Sequence, residues 1–559
     1  MRRWIDPLVD GRADPRIAVA LLGLSMLVSL IYSLWVGRGL TFSGDEFAWV
    51  SFSPGLDLRD VLAALNGHLV VVSHLLYKAI LEVLGSDYLY FRILTLGSLF
   101  LSVGLFFFYA RRRVGDFIAL APCLVLLFFG SDPTHVLAGN GFTVLFAISC
   151  GLLALVALER QSRFGDAAAA VALVLGVLTY TSALPFVAGV LVLVALSRDR
   201  WRRIWIPLIP ILVYLAWRLY VVVDDVAIVR GGLEASNLVL TPAWSFQSIS
   251  GILNALTGVN YNFAAGGGAL PAGEMAGPAL ALVFLAAIGW QISNGAGRPG
   301  LWAALTIMLT LFISQVLVWI PEVRDPGTAR YLFPGAFALL LVLVEAFRSQ
   351  RANRSAFLMI WIVALCALAT NAALLHGSGN SLRGRTDIAK SEVFASVTVS
   401  SAHPYFSGPG AVPLDKLVTD PLISLVGGAE RRYGGIGFTE KEILQQTPGN
   451  RSKVDRIISR AFGLGLLPFD GPRPEACRLV EADPGPGETV EATLPSRAVT
   501  LESKSPGNVL LRRFDPAFST KVGSLAPNQK MSLYIPVDDG HTPWRLMAEV
   551  PSLTICELE

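Results

Sequence analysis

The chain has 559 residues, 53% hydrophobic and 16% charged, with a formal net charge of +3 and a mean hydropathy of +0.57. That balance excludes an ordinary soluble globule. The charge is also too small, and too free of basic runs, for a nucleic-acid partner. An α-helical polytopic membrane protein is the class that remains.

A helix needs about 20 mostly apolar residues to cross about 30 Å of hydrocarbon. Runs of that length, or approaching it, fall at 17–36, 89–110, 117–131, 141–158, 167–181, 183–197, 204–223, 277–293, 301–320, 332–347 and 355–375, eleven in all. The pair around Ser182 reads as two short helices meeting at a turn. With the N-terminus (Arg2, Arg3, Arg12, Arg16) in the cytosol, every second connection is cytosolic. Those connections carry Arg111, Arg112 and Arg113, then Arg160 and Arg163, then Arg198, Arg200, Arg202 and Arg203. Arg298 follows, and then Arg348, Arg351 and Arg354. The positive-inside rule is obeyed throughout, and an odd number of spans places everything after about 376 outside the cell. No small-residue cleavage pattern follows the first run, which therefore reads as a retained anchor. The expected topology is multi-pass, with the N-terminus cytosolic and the C-terminal part extracytosolic.

Three outer connections are long enough to shape a site, at 37–88, 223–276 and 321–331. In the first, Asp57 is placed to cap a helix over 58–65 that ends at Asn66-Gly67. A second helix follows over 69–84, with His74, Lys78 and Glu82 forming one polar stripe. That pattern suits a helix lying in the membrane interface; the alternative, a twelfth span, breaks the charge parity. The second connection predicts an amphipathic helix over 242–263, then Gly266, Gly267 and Gly268. No Gly-Lys-Ser/Thr follows them, so they form no phosphate loop.

Beyond 376 the chain is rich in Gly, Pro and Ser. Helical patches are expected at 412–426 and 451–462, and alternating runs at 488–494, 498–503, 508–513, 531–537 and 544–550 predict a small β-sandwich. The expected division is a membrane domain over 1–376, an extracytosolic linker with helices over 377–474 and a β-rich domain over 475–559. Cys123, Cys150 and Cys366 lie in apolar runs. Cys477 and Cys556 lie in the outer part, either as a disulfide or as unrelated thiols. A bridge would close a loop of roughly 80 residues and contribute about 2–4 kcal/mol.

Ser43-Gly44-Asp45-Glu46-Phe47 stands out for its chemistry. Two adjacent carboxylates at a membrane surface suit proton abstraction or metal binding; the plain alternative is solvated acids after a turn glycine. The order Gly44-Asp45-Glu46-Phe47, Ser53-Pro54-Gly55-Leu56, Leu58-Arg59-Asp60, Asn66-Gly67-His68, Leu75-Leu76-Tyr77, Gly85-Ser86-Asp87-Tyr88 and Phe91-Arg92 resembles the first outer loop of one enzyme class. That class is the bacterial membrane glycosyltransferases called GT-C. Ala329-Arg330-Tyr331-Leu332-Phe333-Pro334 is similar to the Arg-Tyr that opens a late membrane helix in those enzymes. The resemblance spans roughly 17–375 and does not extend to the C-terminal part.

The resemblance implies a hexosyl or pentosyl transferase using a polyprenyl-phosphate-linked sugar donor and a glycan or lipid acceptor, with inversion at the anomeric carbon. Neither an Asp-x-Asp nor a glycine-rich nucleotide loop lies on the expected inner side, which agrees with a lipid donor. It makes Asp45 the general base and places Glu46 beside it. Arg330 and Tyr331, with Arg218, Arg92 and His68, become the candidates for binding substrate and its leaving phosphate. For Arg218 and Arg92 the alternative is snorkelling to the headgroups. A divalent cation is left open, with Asp45, Glu46, His68 and Asp325 as its candidate ligands. The alternative function is a lipid-linked saccharide translocase or polymerase of cell-envelope biosynthesis. It accounts for the helices but not for the acidic loop.

Overall fold

The computed structural model describes residues 14–223, 234–259, 261–262, 268–269, 276–320, 324–350, 352–402, 423–469, 471, 476–482, 489–495, 497–517 and 519–558. Arg2, Arg3, Arg12, Arg351, Gly266, Gly267 and most of the 412–426 patch lie outside them. Each of the eleven apolar runs forms a helix. Among the described residues, eight helices are long and apolar enough to cross a membrane. Asp116–Leu127, Arg163–Thr179 and Leu184–Ala195 are shorter, with 12, 17 and 12 residues. At 1.5 Å per residue a 12-residue helix reaches only about 18 Å. The expected eleven helices are therefore present, but eight have crossing length. As expected near Ser182, two short helices meet at a 3-10 turn, Thr181–Ala183, with Pro185 in the first turn of the second helix.

The chain divides into two compact units. The first comprises 1–40, 56–77 and 88–383; the second comprises 41–55, 78–87 and 384–559. The connection 37–88 thus contributes to both.

The core of the first unit is aromatic. Phe129 meets Phe333 edge-on at 5.1 Å between ring centroids, and Phe333 and Phe337 lie 5.6 Å apart. Polar side chains in this apolar setting are spent on backbone groups. Asn371 is fully buried; its oxygen accepts from Ser131 N and Oγ at 3.1 and 2.9 Å, and its nitrogen donates to Ala255 O at 2.8 Å. Gly130 lies so close to this helix that any Cβ would strike the backbone of Asn371 and Leu375.

The C-terminal end of the first helix, Pro15–Val36, is held by two guanidiniums. Arg92 donates to the carbonyls of Ser33 and Leu34, and Arg383 to that of Val36 at 2.6 Å. Cations on the otherwise unsatisfied last carbonyls oppose the negative end of the helix dipole. This fixes where the chain leaves the first helix.

Several expected boundaries shift. The helix predicted over 58–65 spans only Leu58–Leu62, opened by an Asp57/Asp60 capping box. Asn66 and Gly67 do not cap it. With φ of +51° and +80°, they form a tight turn closed by Leu65 and His68. An Asn-Gly pair prefers this two-residue hairpin geometry. The helix expected over 242–263 spans Thr241–Thr257 and stops at Gly258, whose φ is +77°. The last apolar helix runs far past 376, as Arg354–Ala402, because Ala389, Val393, Ala395 and Val399 bury on its distal half.

The polar stripe of Val71–Val83 is engaged by protein partners or buried. His74 is buried, Lys78 donates to Ser53 O at 2.7 Å, and Glu82 pairs with Arg432 and Tyr433, both at 3.0 Å.

The second unit contains a β-sandwich of antiparallel strands: β1 (Leu467–Pro468), β2 (Cys477–Glu481), β3 (Val490–Thr493), β4 (Ala498–Glu502), β5 (Gly507–Arg512), β6 (Thr520–Leu525), β7 (Lys530–Tyr534), β8 (Arg545–Ala548) and β9 (Ser552–Glu557). One sheet has the order β3-β8-β5-β6, the other β1-β7-β4-β9-β2. All five expected strands form. β2 escaped notice because it is an exposed edge strand without alternation, and β6 because Lys521 and Gly523 interrupt it. Cys477 and Cys556 are register partners on β2 and β9 and are joined as a disulfide. Helix Pro448–Ala461 sends Asp455 to the main-chain N–H groups of Arg513, Phe514 and Asp515 at 3.0–3.1 Å.

Candidate functional site

The acidic motif lies in the second unit. Gly44 has a φ of +57°, which lets the chain turn sharply into the helix Glu46–Phe52. The two carboxylates differ in setting. Glu46 is wholly buried, and its Oε2 accepts from Ser43 N at 3.0 Å. Ser43 and Glu46 have the Ser-x-x-Glu spacing of a capping box, and the Glu half of that device is present. Asp45 is only partly buried, and its side chain caps no helix N–H.

The remaining candidates lie in the first unit. His68 follows the Asn66-Gly67 turn. Its Nδ1 is 2.5 Å from Thr181 Oγ1, and its ring stacks on Tyr180 at 4.3 Å. Burial, together with the nearby positive charges of Arg324 and Arg330, pushes its pKa down to about 4. The imidazole is therefore neutral at physiological pH. The same interaction shows that His68, Arg324 and Arg330 share one electrostatic neighbourhood.

Arg330 is exposed in the first turn of Ala329–Ala346, where Thr328 is the N-cap residue. Its guanidinium lies 5.4 Å from the centre of the Tyr331 ring, and Tyr331 meets Trp244 edge-on. Arg324 is half-buried and donates to Val318 O at 3.3 Å, while Asp325 accepts from Trp319 Nε1 at 3.2 Å. Arg324 and Arg330 both lie in the segment that opens this 18-residue helix, whose N-terminal N–H groups favour negative charge.

Arg218 is half-buried beside Trp217, whose Nε1 donates to Leu62 O at 2.8 Å and so holds the stem of the His68 turn. Arg92 is 5% exposed and engaged with the carbonyls of Ser33, Leu34 and Leu137. Its fork is occupied by packing. The structure thus places His68 within electrostatic range of Arg330, keeps Arg92 at a helix end, and places Asp45 and Glu46 in the other unit. Among the described residues no three His, Cys, Asp or Glu side chains are grouped to hold a metal ion.

Sequence reasoning missed three residues of this neighbourhood: Arg324, Tyr180 and Thr181. Arg324 had a signal, a cation immediately before Asp325-Pro326-Gly327 in a short connection between apolar runs. Tyr180 and Thr181 had none, because they sit at a break between apolar helices and meet His68 only in the fold.

No family description matches this chain, and no curated protein matches it. Among solved structures it is similar to ArnT from Cupriavidus metallidurans bound to undecaprenyl phosphate. That likeness has 12% identity and a TM-score of 0.45, over 73% of this chain and 85% of the other. It is also similar to the apo state of the same protein, with 14% identity and a TM-score of 0.43, over 74% of this chain and 85% of the other.

Proposed function

We propose that this chain is a bacterial inner-membrane glycosyltransferase. It moves a sugar from a polyprenyl-phosphate donor to a glycan or lipid acceptor of the cell envelope, on the extracytosolic face. The observation that supports this most directly is the cationic corner at the start of Ala329–Ala346, where Arg324 and Arg330 both act on a neutral His68. A lipid-linked sugar phosphate brings a negative charge to the membrane surface, and that charge grows on the leaving oxygen as the sugar departs. Fixed guanidiniums stabilise such developing charge without reorganising.

Asp45 takes the proton of the acceptor hydroxyl in this reading. The hydroxyl oxygen attacks the anomeric carbon, the bond from that carbon to the phosphate oxygen breaks, and polyprenyl phosphate leaves with the bonding electrons. Attack opposite the leaving group inverts the centre. The transition state is oxocarbenium-like, as in glycoside hydrolysis. Glu46, turned to its own backbone, shapes the loop that presents Asp45.

The test is a transfer assay in membranes with a radiolabelled polyprenyl-phosphate sugar, comparing wild type, Asp45→Asn and Arg330→Ala. Both variants are expected to lose at least a hundredfold in turnover. Full activity in both, or no consumption of the lipid-linked sugar by wild type, overturns the assignment. Movement of lipid-linked saccharide across the membrane without formation of a new glycosidic bond would favour a translocase instead.

A further inference from the structure

The helix that begins at Arg330 ends beside a second constellation. Glu345 lies fifteen residues on, about 22 Å away at 1.5 Å per residue. There a cavity of about 780 Å³ opens among the helix ends that carry the arginine-rich connections. Five arginines line it (Arg112, Arg113, Arg203, Arg298 and Arg348) against two glutamates, Glu159 and Glu345.

Most of this charge is internally balanced. Glu159 bridges Arg112 and Arg113, each at 2.7 Å, and Glu345 takes Arg113 together with the Tyr109 hydroxyl at 2.5 Å. Arg203 is paired with Asp166, just outside the cavity. Two guanidiniums are left over. Arg298 has no carboxylate partner among the described residues, and Arg348, 44% exposed, comes only within 3.8 Å of Glu345. The surplus of two positive charges is enough to hold one phosphate group. The deeper wall is apolar, formed by Leu155, Leu193, Ala304, Ile307 and Leu341. An anion-binding rim above an apolar wall is the complement of an amphiphile, not of a free ion.

We propose that this cavity binds the phosphate headgroup of an anionic lipid, with Arg298 and Arg348 on the phosphate and the first part of an acyl chain along Leu193 and Ile307. Basic pockets between membrane helices select such headgroups by charge at close range. The transfer reaction plays no part in the argument, so the two readings stand or fall separately.

The experiment uses the full chain in neutral detergent, with lipid retention read by native mass spectrometry for phosphatidylglycerol and phosphatidylcholine. Wild type is expected to retain phosphatidylglycerol about tenfold better. Arg298→Gln/Arg348→Gln is expected to abolish that preference. Arg163→Gln/Arg354→Gln, an equal charge change at positions that do not line the cavity, is expected to leave it intact. Leu193→Trp, which narrows the apolar wall, should weaken lipid retention. Glycerol phosphate and inorganic phosphate test the soluble source. If either displaces phosphatidylglycerol at equal concentration, the site takes a free anion and the lipid proposal is overturned. Equal loss in the two arginine pairs overturns it too, because retention would then follow bulk surface charge.

Discussion

His68 and Thr181 meet at 2.5 Å although they lie 113 residues apart, the first on a tight turn, the second at the break between two short helices. The turn is fixed by Asn66 and Gly67 in left-handed conformations and by the Leu65–His68 pairing. The break exists because Arg163–Thr179 stops before Tyr180 and the next helix starts only at Leu184. Two irregular pieces of backbone thus fix the orientation of one imidazole, with Tyr180 stacked against it.

Thr181 is therefore a positioning residue for His68. Thr181→Val removes the hydroxyl at nearly constant volume and is expected to lower kcat/KM for transfer about tenfold, whereas Thr181→Ser retains most of the rate. The decisive measurement is a double-mutant cycle with His68→Gln. The double variant should be no worse than the worse single variant. Additive losses would mean that Thr181 acts on something other than His68.

A histidine held at about 4 does not titrate in the range where histidines ordinarily do. Its folded pKa is depressed, so folding favours the neutral ring. That contribution is fully present above the ordinary value of 6.5 and is lost as pH falls from there toward about 4. Imidazole NMR signals of His68 should stay at their neutral positions down to about pH 5. A phosphate bound by Arg324 and Arg330 offsets the charges that repel the imidazolium, so a short-chain prenyl phosphate is expected to move the titration upward. Titration near 6.5 without ligand would show that the ring is neither buried nor near the two arginines.

The paired acids predict unequal effects. Asp45→Asn removes the base and is expected to cost about a thousandfold in turnover, with donor binding little changed. Glu46→Gln keeps an oxygen for Ser43 N, so it should fold and retain activity within about tenfold. Glu46→Ala leaves that N–H without its acceptor, at about 1–2 kcal/mol of local stability. Turnover measured at saturating donor, with circular dichroism for folding, separates the three. If Glu46→Gln proved as inactive as Asp45→Asn, the structural role given to Glu46 would be wrong.

The parts of this molecule legible in the sequence are those set by local pattern. Apolar run length located eleven helices among the described residues, eight of them long enough to cross a membrane, and period-two alternation located five strands of the sandwich. Reading Asp57 as a cap worked because Asp60 answers it within one turn. Failures came where tertiary contact overrode local preference. The segment 376–402 has the composition of a linker, yet it is helical because one face buries against neighbours. The stripe of His74, Lys78 and Glu82 has the period of an interfacial helix, and only the fold reveals its partners Ser53, Arg432 and Tyr433, far away in sequence. Arg92 illustrates the same limit. An arginine in an apolar run reads as functional or snorkelling, and only the fold reveals three carbonyls waiting for it.

Asp455 gives the second unit a pH dependence of its own. Its side chain is 1% exposed, and burial pushes its pKa up to about 6 from 3.8, against the pull of three N–H donors. A carboxyl with a raised folded pKa is favoured as the acid in the fold. The stability it adds is complete below 3.8 and is lost as pH rises through about 6. A shift of about 2 units corresponds to about 3 kcal/mol. Asp455→Asn keeps an acceptor for the N–H groups of Arg513, Phe514 and Asp515 but does not titrate. Hydrogen exchange of the sandwich amides at pH 5 and pH 7, corrected for intrinsic rates, should show wild type losing protection at the higher pH. The variant should show a flatter response over the same interval. Identical pH responses in the two proteins would mean that Asp455 is ionised in the fold at both pH values and that the three N–H donors outweigh burial.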